Sequence, residues 1–460
     1  MAQYAFLLIA IMTVFAFLLG RSAGRSFTAP AGAKRPHSRP LYHGAFVAIW
    51  VGIPALALVV LWLLVQDDVV GRLILRSLPP DFLAGKSASE IALLSQSIAN
   101  AATGQTFGTP SPEIIDAAAT LERWNQIGRW AMLVVALAVM VVALAVSRAS
   151  LHSTFRARNR FEQAISALMI LCAVVAVLTT LGIVVSLVYE AVRFFRMVPV
   201  HDFLFGLNWE PQIPLRADQV AAEGAFGIIP VFVGTILIAT IAMVVAVPIG
   251  LFTAIYLVEF ARPMTRSIVK PFMEILAGIP TVVYGFFAVL TVAPALREFG
   301  TLMGLAVAPN SALAAGLVMG IMIVPFVSSI SDDAIAAVPI SLRDGSLALG
   351  ATRGETMVKV LLPAAIPGIA GGILLAVSRA VGETMIVLMA AGIFATLTIN
   401  PVDSVTTVTV QIVTLLIGDT EFDSPKTLAA FALGLTLFVL TFALNVLAIR
   451  LVQRFREQYD

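Results

Sequence analysis

Of the 460 residues, 59% are hydrophobic and 12% carry a charge, about half the charged share of an ordinary soluble domain. A mean hydropathy of +0.97 excludes a water-exposed globule and points to an all-α polytopic membrane protein. The formal net charge of +2 decides little, because in such a protein the placement of charges along the chain is what matters.

A hydrocarbon core about 30 Å thick needs roughly 17–25 apolar residues per helix. Nine runs meet that length: Tyr4–Gly20, Tyr42–Val65, Trp130–Val146, Ile165–Val188, Ile228–Leu257, Glu274–Leu296, Ser311–Ile330, Ile369–Ala391 and Ala429–Leu451. The first has no basic segment before it and no clear small-x-small site after it. It is therefore expected to be a retained anchor and not a signal peptide.

The connections carry charge of one sign on one side. Arg21, Arg25, Lys34, Arg35 and Arg39 follow the first span, and Arg148, Arg156, Arg158 and Arg160 follow the third. Arg262, Arg266 and Lys270 come next, then Arg343, Arg353 and Lys359, and finally Arg450, Arg454 and Arg456. With nine spans all of these fall on one face, which the positive-inside rule makes cytoplasmic. The opposite loops hold Asp67, Asp68 and Asp81, or Asp403, Asp419, Glu421 and Asp423. The amino terminus is expected outside and the carboxyl terminus in the cytoplasm, with the chain in a bacterial inner membrane.

Two parts are expected. Residues 1–150 hold three spans and a long extracytoplasmic loop, 67–129, whose Ala/Ser/Gly-rich portion has too weak a period to assign a fold. Residues 151–460 hold six spans with shorter connections. Cys172 lies in an apolar run; it excludes an internal disulfide and is expected to be a small buried hydrophobe. His37, His43, His152 and His201 are scattered, and no HExxH, CxxC or His/carboxylate cluster suggests a metal. Gly85-Lys86-Ser87 ends like a phosphate-binding loop, but Pro80 stands where that loop requires glycine. The chain is not expected to hydrolyse ATP, nor to hold a cofactor.

One cytoplasmic connection, 331–363, is patterned. Its stretch from Arg343 to Pro363 reads as two short helices broken near Gly350, with Met357, Val360 and Leu361 at helical spacing and Pro363 ending the second helix. Such a segment suits docking into a partner's groove; it would equally suit lying on lipid headgroups. In the eighth span, Ser378-Arg379-Ala380-Val381-Gly382-Glu383-Thr384-Met385 places two ionisable residues near the centre of an apolar helix, four apart and therefore on one side. Each costs at least about 2.5–3.5 kcal/mol there. They read either as a structural ion pair or as a path for an anion, since a guanidinium offers a fork of donors matched to an oxyanion. Lys270 and Glu274 read as interfacial. Gly278, Pro280, Gly285 and Pro325 read as close packing and a kink, or as a hinge.

The 343–363 stretch resembles the EAA loop of binding-protein-dependent ABC importer permeases. Asp344-Gly345-Ser346 stand where that family has E-A-A, Gly350 matches its glycine, and Leu362-Pro363 match its L-P. The resemblance implies that this loop docks in a cleft of a separate ATPase subunit. The departure at E-A-A includes Gly345, which should weaken the first helix by about 1 kcal/mol relative to Ala. The R-A-x-G-E-T-M string at Arg379–Met385 is similar to a hallmark of phosphate-specific transporter permeases. Glu274–Gly285 resembles their third core span, and Phe203–Trp209 with Phe226–Pro230 resembles the outside segment before their second. Methionine after Glu-Thr favours a PstC-type subunit over its PstA-type partner.

The resemblance covers roughly residues 160–455 and implies a six-span permease core of an ATP-driven phosphate importer. Arg379, Glu383 and Thr384 would then lie on the substrate path. The implied partners are a PstA-type second permease, an ATPase dimer using ATP and magnesium, an extracytoplasmic phosphate-binding protein and membrane lipid, with no nucleic acid. From the residues alone, molybdate, sulfate and phosphonate remain open as the oxyanion. A secondary transporter coupled through Glu383 is a rival, although no matching second half is found; an intramembrane enzyme lacks any nucleophile–base pair.

Overall fold

In a bilayer every backbone polar group must find its partner within the protein, so apolar runs fold as helices. The computed structural model describes residues 2–27, 37–79, 88–104, 111–211, 225–417 and 424–455. Among them, nine helical stretches are long and apolar enough to cross a membrane, the number expected. The chain packs as two compact units, residues 1–178 and 179–460.

The first unit contains α1 (Ala2–Ser26), α2 (Pro40–Ser77), α3 (Ala88–Ala102), α4 (Pro112–Ala149) and most of the apolar half of α5 (Ala157–Met197). Close contact between α1 and α2 rests on glycine: a Cβ on Gly44 would lie 2.6 Å from the carbonyl oxygen of Phe17. At 38 residues each, α2 and α4 are about 57 Å long, nearly twice the hydrocarbon thickness. Their surplus lies at the polar ends, residues 66–77 and 112–129, where α3 packs through Leu94 and Ile98 onto Val70, Ile74 and Ala118. Among its described residues the 67–129 connection is thus largely helical. Its stripe of apolar residues is narrow and diluted by alanine and serine, so the period is faint in the sequence. Cys172 is exposed on α5 and not buried as expected. A membrane helix keeps its outward face apolar, so a cysteine among hydrophobes carries no information about burial.

The second unit continues from α5 through α6 (Val200–Phe205), a two-strand ribbon of β1 (Trp209–Glu210) and β2 (Ala225–Phe226), and α7 (Ile229–Ile255). The strands pair antiparallel with Trp209 opposite Phe226. Phe194, Phe203, Trp209 and Phe226 bury together edge to face, and the Trp209 indole donates to Gln411 Oε1 at 2.8 Å. Next come α8 (Pro263–Gly278), α9 (Thr281–Phe287), α10 (Ala293–Leu302), α11 (Ala312–Ala336), α12 (Ile340–Ala348), α13 (Arg353–Thr356), α14 (Leu362–Val381), α15 (Met385–Ala390), α16 (Val408–Leu416) and α17 (Pro425–Phe455).

Several boundaries differ from the sequence reading. The sixth span begins at Thr281 and not at Glu274. Pro280 forces the residue before it, Ile279, into extended backbone (φ −67°, ψ 130°), which separates α8 as a helix of its own. The seventh span runs on to Ala336, so residues 331–336 belong to α11 and not to the following connection. Pro363 does not end a helix. The chain is helical from Arg353 to Val381, passing through a π-turn at Met357–Leu361 directly before Leu362-Pro363. The wider turn accommodates a ring that would otherwise clash with the carbonyl four residues back.

The core of this unit is α11 against α7, brought close by small residues as membrane helix pairs require. A Cβ on Gly316 would meet Ile241 at 2.7 Å, and one on Gly250 would meet Val327 at 2.8 Å. Gly234 is the tightest case involving backbone, 2.2 Å from the Thr406 carbonyl oxygen. Neither peptide can shift cheaply, since Thr235 Oγ1 next to it accepts from Val408 N at 3.0 Å. Gly234→Ala is expected to destabilise by about 1–3 kcal/mol. The check is the thermal midpoint of the detergent-solubilised protein, which should fall; an unchanged midpoint would mean that this contact is not fixed.

Candidate functional site: a charged cavity and an anchored peripheral helix

A cavity of about 250 Å³ lies among α8, α11, α14 and the π-helical turn Tyr256–Phe260 that follows α7. Arg379 borders it from the last turn of α14. Its guanidinium carbon sits 5.6 Å from the Phe326 ring centroid, and Nη2 is 3.9 Å from Met322 Sδ. Both contacts are to polarisable apolar groups, which hold a cation without neutralising it. Among the described residues no carboxylate lies within ion-pair distance of Arg379.

Glu383 does not share a helical face with Arg379. The α14 helix ends at Val381 with Gly382 as its cap, and α15 starts only at Met385. The spacing of four therefore spans a helix terminus, and the expected one-sided arrangement is not formed. Glu383 instead turns to its own backbone: its Oε1 accepts from Met385 N at 3.1 Å, and its carbonyl accepts from Thr409 Oγ1 at 2.8 Å. The Thr384 hydroxyl approaches the Gly382 carbonyl at 3.4 Å. Arg379, Glu383 and Thr384 are thus neighbours at one break in the span, with the cation and the carboxylate engaged separately.

A second charged group borders the same cavity. Asp332 on α11, 7% exposed, accepts from Arg266 Nη2 at 2.9 Å and from Lys270 Nζ at 2.8 Å. Arg266 and Lys270 are four apart on α8 and present one face. The hydrogen bond to Asp332 holds the Lys270 ammonium above the ordinary lysine range. Lys270 and Glu274 are therefore more than interfacial residues, because both border the same cavity as Arg379. Sequence reasoning missed this grouping. A lysine near the end of an apolar run looks like an interfacial anchor until the break at Pro280 sets α8 apart from the span and Asp332 on α11 is found against it.

The patterned connection forms two helical pieces as expected, α12 and then α13, with Gly350 between them at φ +89°. That backbone conformation favours glycine. The α12 helix buries none of its residues: Asp344 and Gly345 are exposed, and a Cβ on Gly345 would meet nothing. Ser346 Oγ lies 3.0 Å from Thr356 Oγ1, tying α12 to α13. Thr352 and Glu355 form a reciprocal capping box that starts α13. The firmest tie is ionic. Arg343 Nη2 donates to Glu259 Oε1 at 3.1 Å, and the Glu259 side chain is 1% exposed. Glu259 was not legible as functional. The signal was there in retrospect, since a carboxylate within Leu257-Val258-Glu259-Phe260 is costly unless paired.

A family model described as "Binding-protein-dependent transport system inner membrane component" matches residues 246–457, and one described as "Phosphate ATP-binding cassette transporter" matches residues 6–179. The chain is 34% identical over 291 residues to the "Probable ABC transporter permease protein YqgH" of Bacillus subtilis, covering 62% of this chain and 89% of that protein. It is 31% identical to the "Phosphate transport system permease protein PstC" of Mesorhizobium japonicum, covering 68% and 96%. It is also 31% identical to "Phosphate transport system permease protein PstC 1" of Mycobacterium tuberculosis, covering 61% and 90%. A multi-pass inner-membrane transport subunit of the ABC importer type accounts for both the helices and these matches. The chain belongs to the PstC-type permease family.

Proposed function

We propose that this chain is the permease subunit of an ATP-driven importer of inorganic phosphate and forms half of the translocation path. The observation that carries the reading is Arg379, a guanidinium that borders the cavity, rests on Phe326 and Met322 and makes no ion pair among the described residues. A planar fork of donors in that setting matches the oxygens of a tetrahedral oxyanion. Glu383 and Thr384, at the same break, shape the path beside it. Residues 151–460 act as the six-span core, and residues 1–150 form an extension with its α2, α3 and α4 ends outside the cell. The amino terminus lies outside and the carboxyl terminus in the cytoplasm.

The second half of the path is a PstA-type subunit. An extracytoplasmic phosphate-binding protein delivers the anion, and a dimer of ATPase subunits, using ATP and magnesium, supplies the energy. The exposed α12, with Asp344, Gly345 and Ser346, docks on that ATPase. Gly350 turns the chain back, and Leu362-Pro363 joins the docked segment to α14. This chain itself needs no cofactor.

The reading is tested by uptake of labelled phosphate in cells lacking and then regaining the chain, with molybdate as competitor. Uptake that returns with the chain and ignores excess molybdate supports phosphate. Uptake that molybdate suppresses would make this a permease for another oxyanion, and uptake unchanged by loss of the chain would end the proposal.

A further inference from the structure

A groove of about 680 Å³ runs between α2 and α4 in the first unit. On α2 its wall is Phe46, Trp50 and Pro54, four residues apart and on one face. Pro54 stands at the middle of the apolar run Tyr42–Val65. The groove therefore has both its walls only in the half of that run nearer Tyr42, a depth matching one leaflet of the bilayer. Its lining is apolar except for Ser147 and Ser150, both at the same end of α4. Their hydroxyls donate to the carbonyls of Leu144 and Val146. Trp50 is half exposed, and its indole N–H makes no hydrogen bond among the described residues.

The open end of the groove is strongly basic. Residues 1–66 and 130–178 contain nine arginines and lysines and one carboxylate, Glu162, which Arg158 takes at 2.7 Å. Arg39, the N-cap of α2, precedes Phe46 by two helical turns and stands below it on the same face. Phe155 packs edge to face on Phe46 with ring centroids 4.9 Å apart, which brings its neighbour Arg156 to the same end. Arg39 and Arg156 are exposed and make no ion pair among the described residues.

We infer that this groove binds one anionic phospholipid, with an acyl chain along Phe46, Trp50 and Pro54 and the phosphodiester on Arg39 and Arg156. A partner helix crossing the membrane would follow the whole length of α2, whereas this groove loses its α2 wall at mid-bilayer; an acyl chain ends there too. Basic groups at the mouth of a cleft between spans select an anionic head over a zwitterionic one. The Trp50 indole lies where a tryptophan meets the ester region of a leaflet. The bound lipid ties α2, α4 and the 150–157 turn together, so the first unit is built to hold a component of the membrane itself.

The test reads Trp50 in the purified transporter, reconstituted in bilayers, because brominated acyl chains quench a tryptophan that they touch. The difference from Trp50→Phe isolates this residue among the tryptophans. Brominated phosphatidylglycerol should quench Trp50 with about 25-fold tighter binding than brominated phosphatidylcholine of the same chain length, roughly fivefold from each arginine. Arg39→Gln combined with Arg156→Gln should erase that preference while leaving Trp50 quenched. Ala138→Phe, at an exposed position in the α4 wall, should fill the groove and lower quenching by both lipids. Equal quenching by the two lipids overturns the inference, as does a preference that survives loss of both arginines. A preference abolished by inorganic phosphate at matched ionic strength would mean that the arginines hold the free ion, and a Trp50 that neither lipid quenches would mean that protein covers the groove; each overturns it. Should a variant fail to assemble, the two lipids compared on the unaltered transporter decide alone. None of these outcomes bears on the translocation path, which the uptake assay tests separately.

Discussion

Arg379→Gln is expected to reduce phosphate uptake by about a hundredfold or more while the protein still inserts and assembles, because a bidentate charged contact is removed and no neighbour can replace it. The size follows from the surroundings. The guanidinium rests on Phe326 and Met322 and makes no ion pair within the described chain, so its removal leaves no buried carboxylate stranded and should cost little stability. The lost function is then separable from lost folding. Lysine at 379 keeps the charge but not the fork, and should recover only part of the uptake. Glu383→Ala is also expected to impair uptake, through loss of the acceptor that organises the turn at Met385 N and not through an ion pair with Arg379. Uptake assays on membranes with matched protein levels provide the check. Wild-type uptake in Arg379→Gln would reduce this arginine to a packing residue.

The second large effect is expected at Arg343. Its partner Glu259 is buried with Oε1 bonded to Arg343 and Oε2 without a hydrogen-bond partner. Arg343→Gln would leave a carboxylate in an apolar setting, a loss of about 2–3 kcal/mol, below the usual cost of breaking a fully buried pair because the arginine is partly solvated. The same change unties α12 from the π-helical turn that follows α7. Transport-coupled ATP hydrolysis should therefore fall further than stability alone accounts for. Arg343→Gln combined with Glu259→Gln removes the stranded charge, so the thermal midpoint should recover while coupling stays low. Full coupling in the single variant would show that α12 does not depend on this tie.

The nine spans were legible because the bilayer imposes a length on apolar runs that no soluble fold imposes. The α12–α13 connection was legible because Gly350 interrupts a recurrent pattern on a segment where charge is tolerated. The break at Gly382 was not. Glycine within a membrane helix usually marks close packing, and a spacing of four between Arg379 and Glu383 invited the assumption of an unbroken helix. The end of α14 depends on what surrounds it: Thr409 reaches the Glu383 carbonyl from a segment 26 residues away, and periodicity carries no information about that. Asp332 and Glu259 escaped notice for a related reason. Each looks like the polar end of a span until its partners on α8 and α12 are placed beside it.

The gap between α14 and α15 also bears on hydration. Where the ladder of peptide bonds stops at Val381 and resumes at Met385, acyl chains cannot satisfy the loosened amides and carbonyls, and only side chains or water can. Thr409 and the Glu383 carboxylate meet part of that demand, and the amides of Gly382 and Glu383 still reach the Ser378 and Ala380 carbonyls. On the proposed path, the polar groups at this break would stand in for part of a solute's solvent shell. The barrier to carrying an oxyanion through oil would then fall into smaller steps, set by where a helix was made to stop.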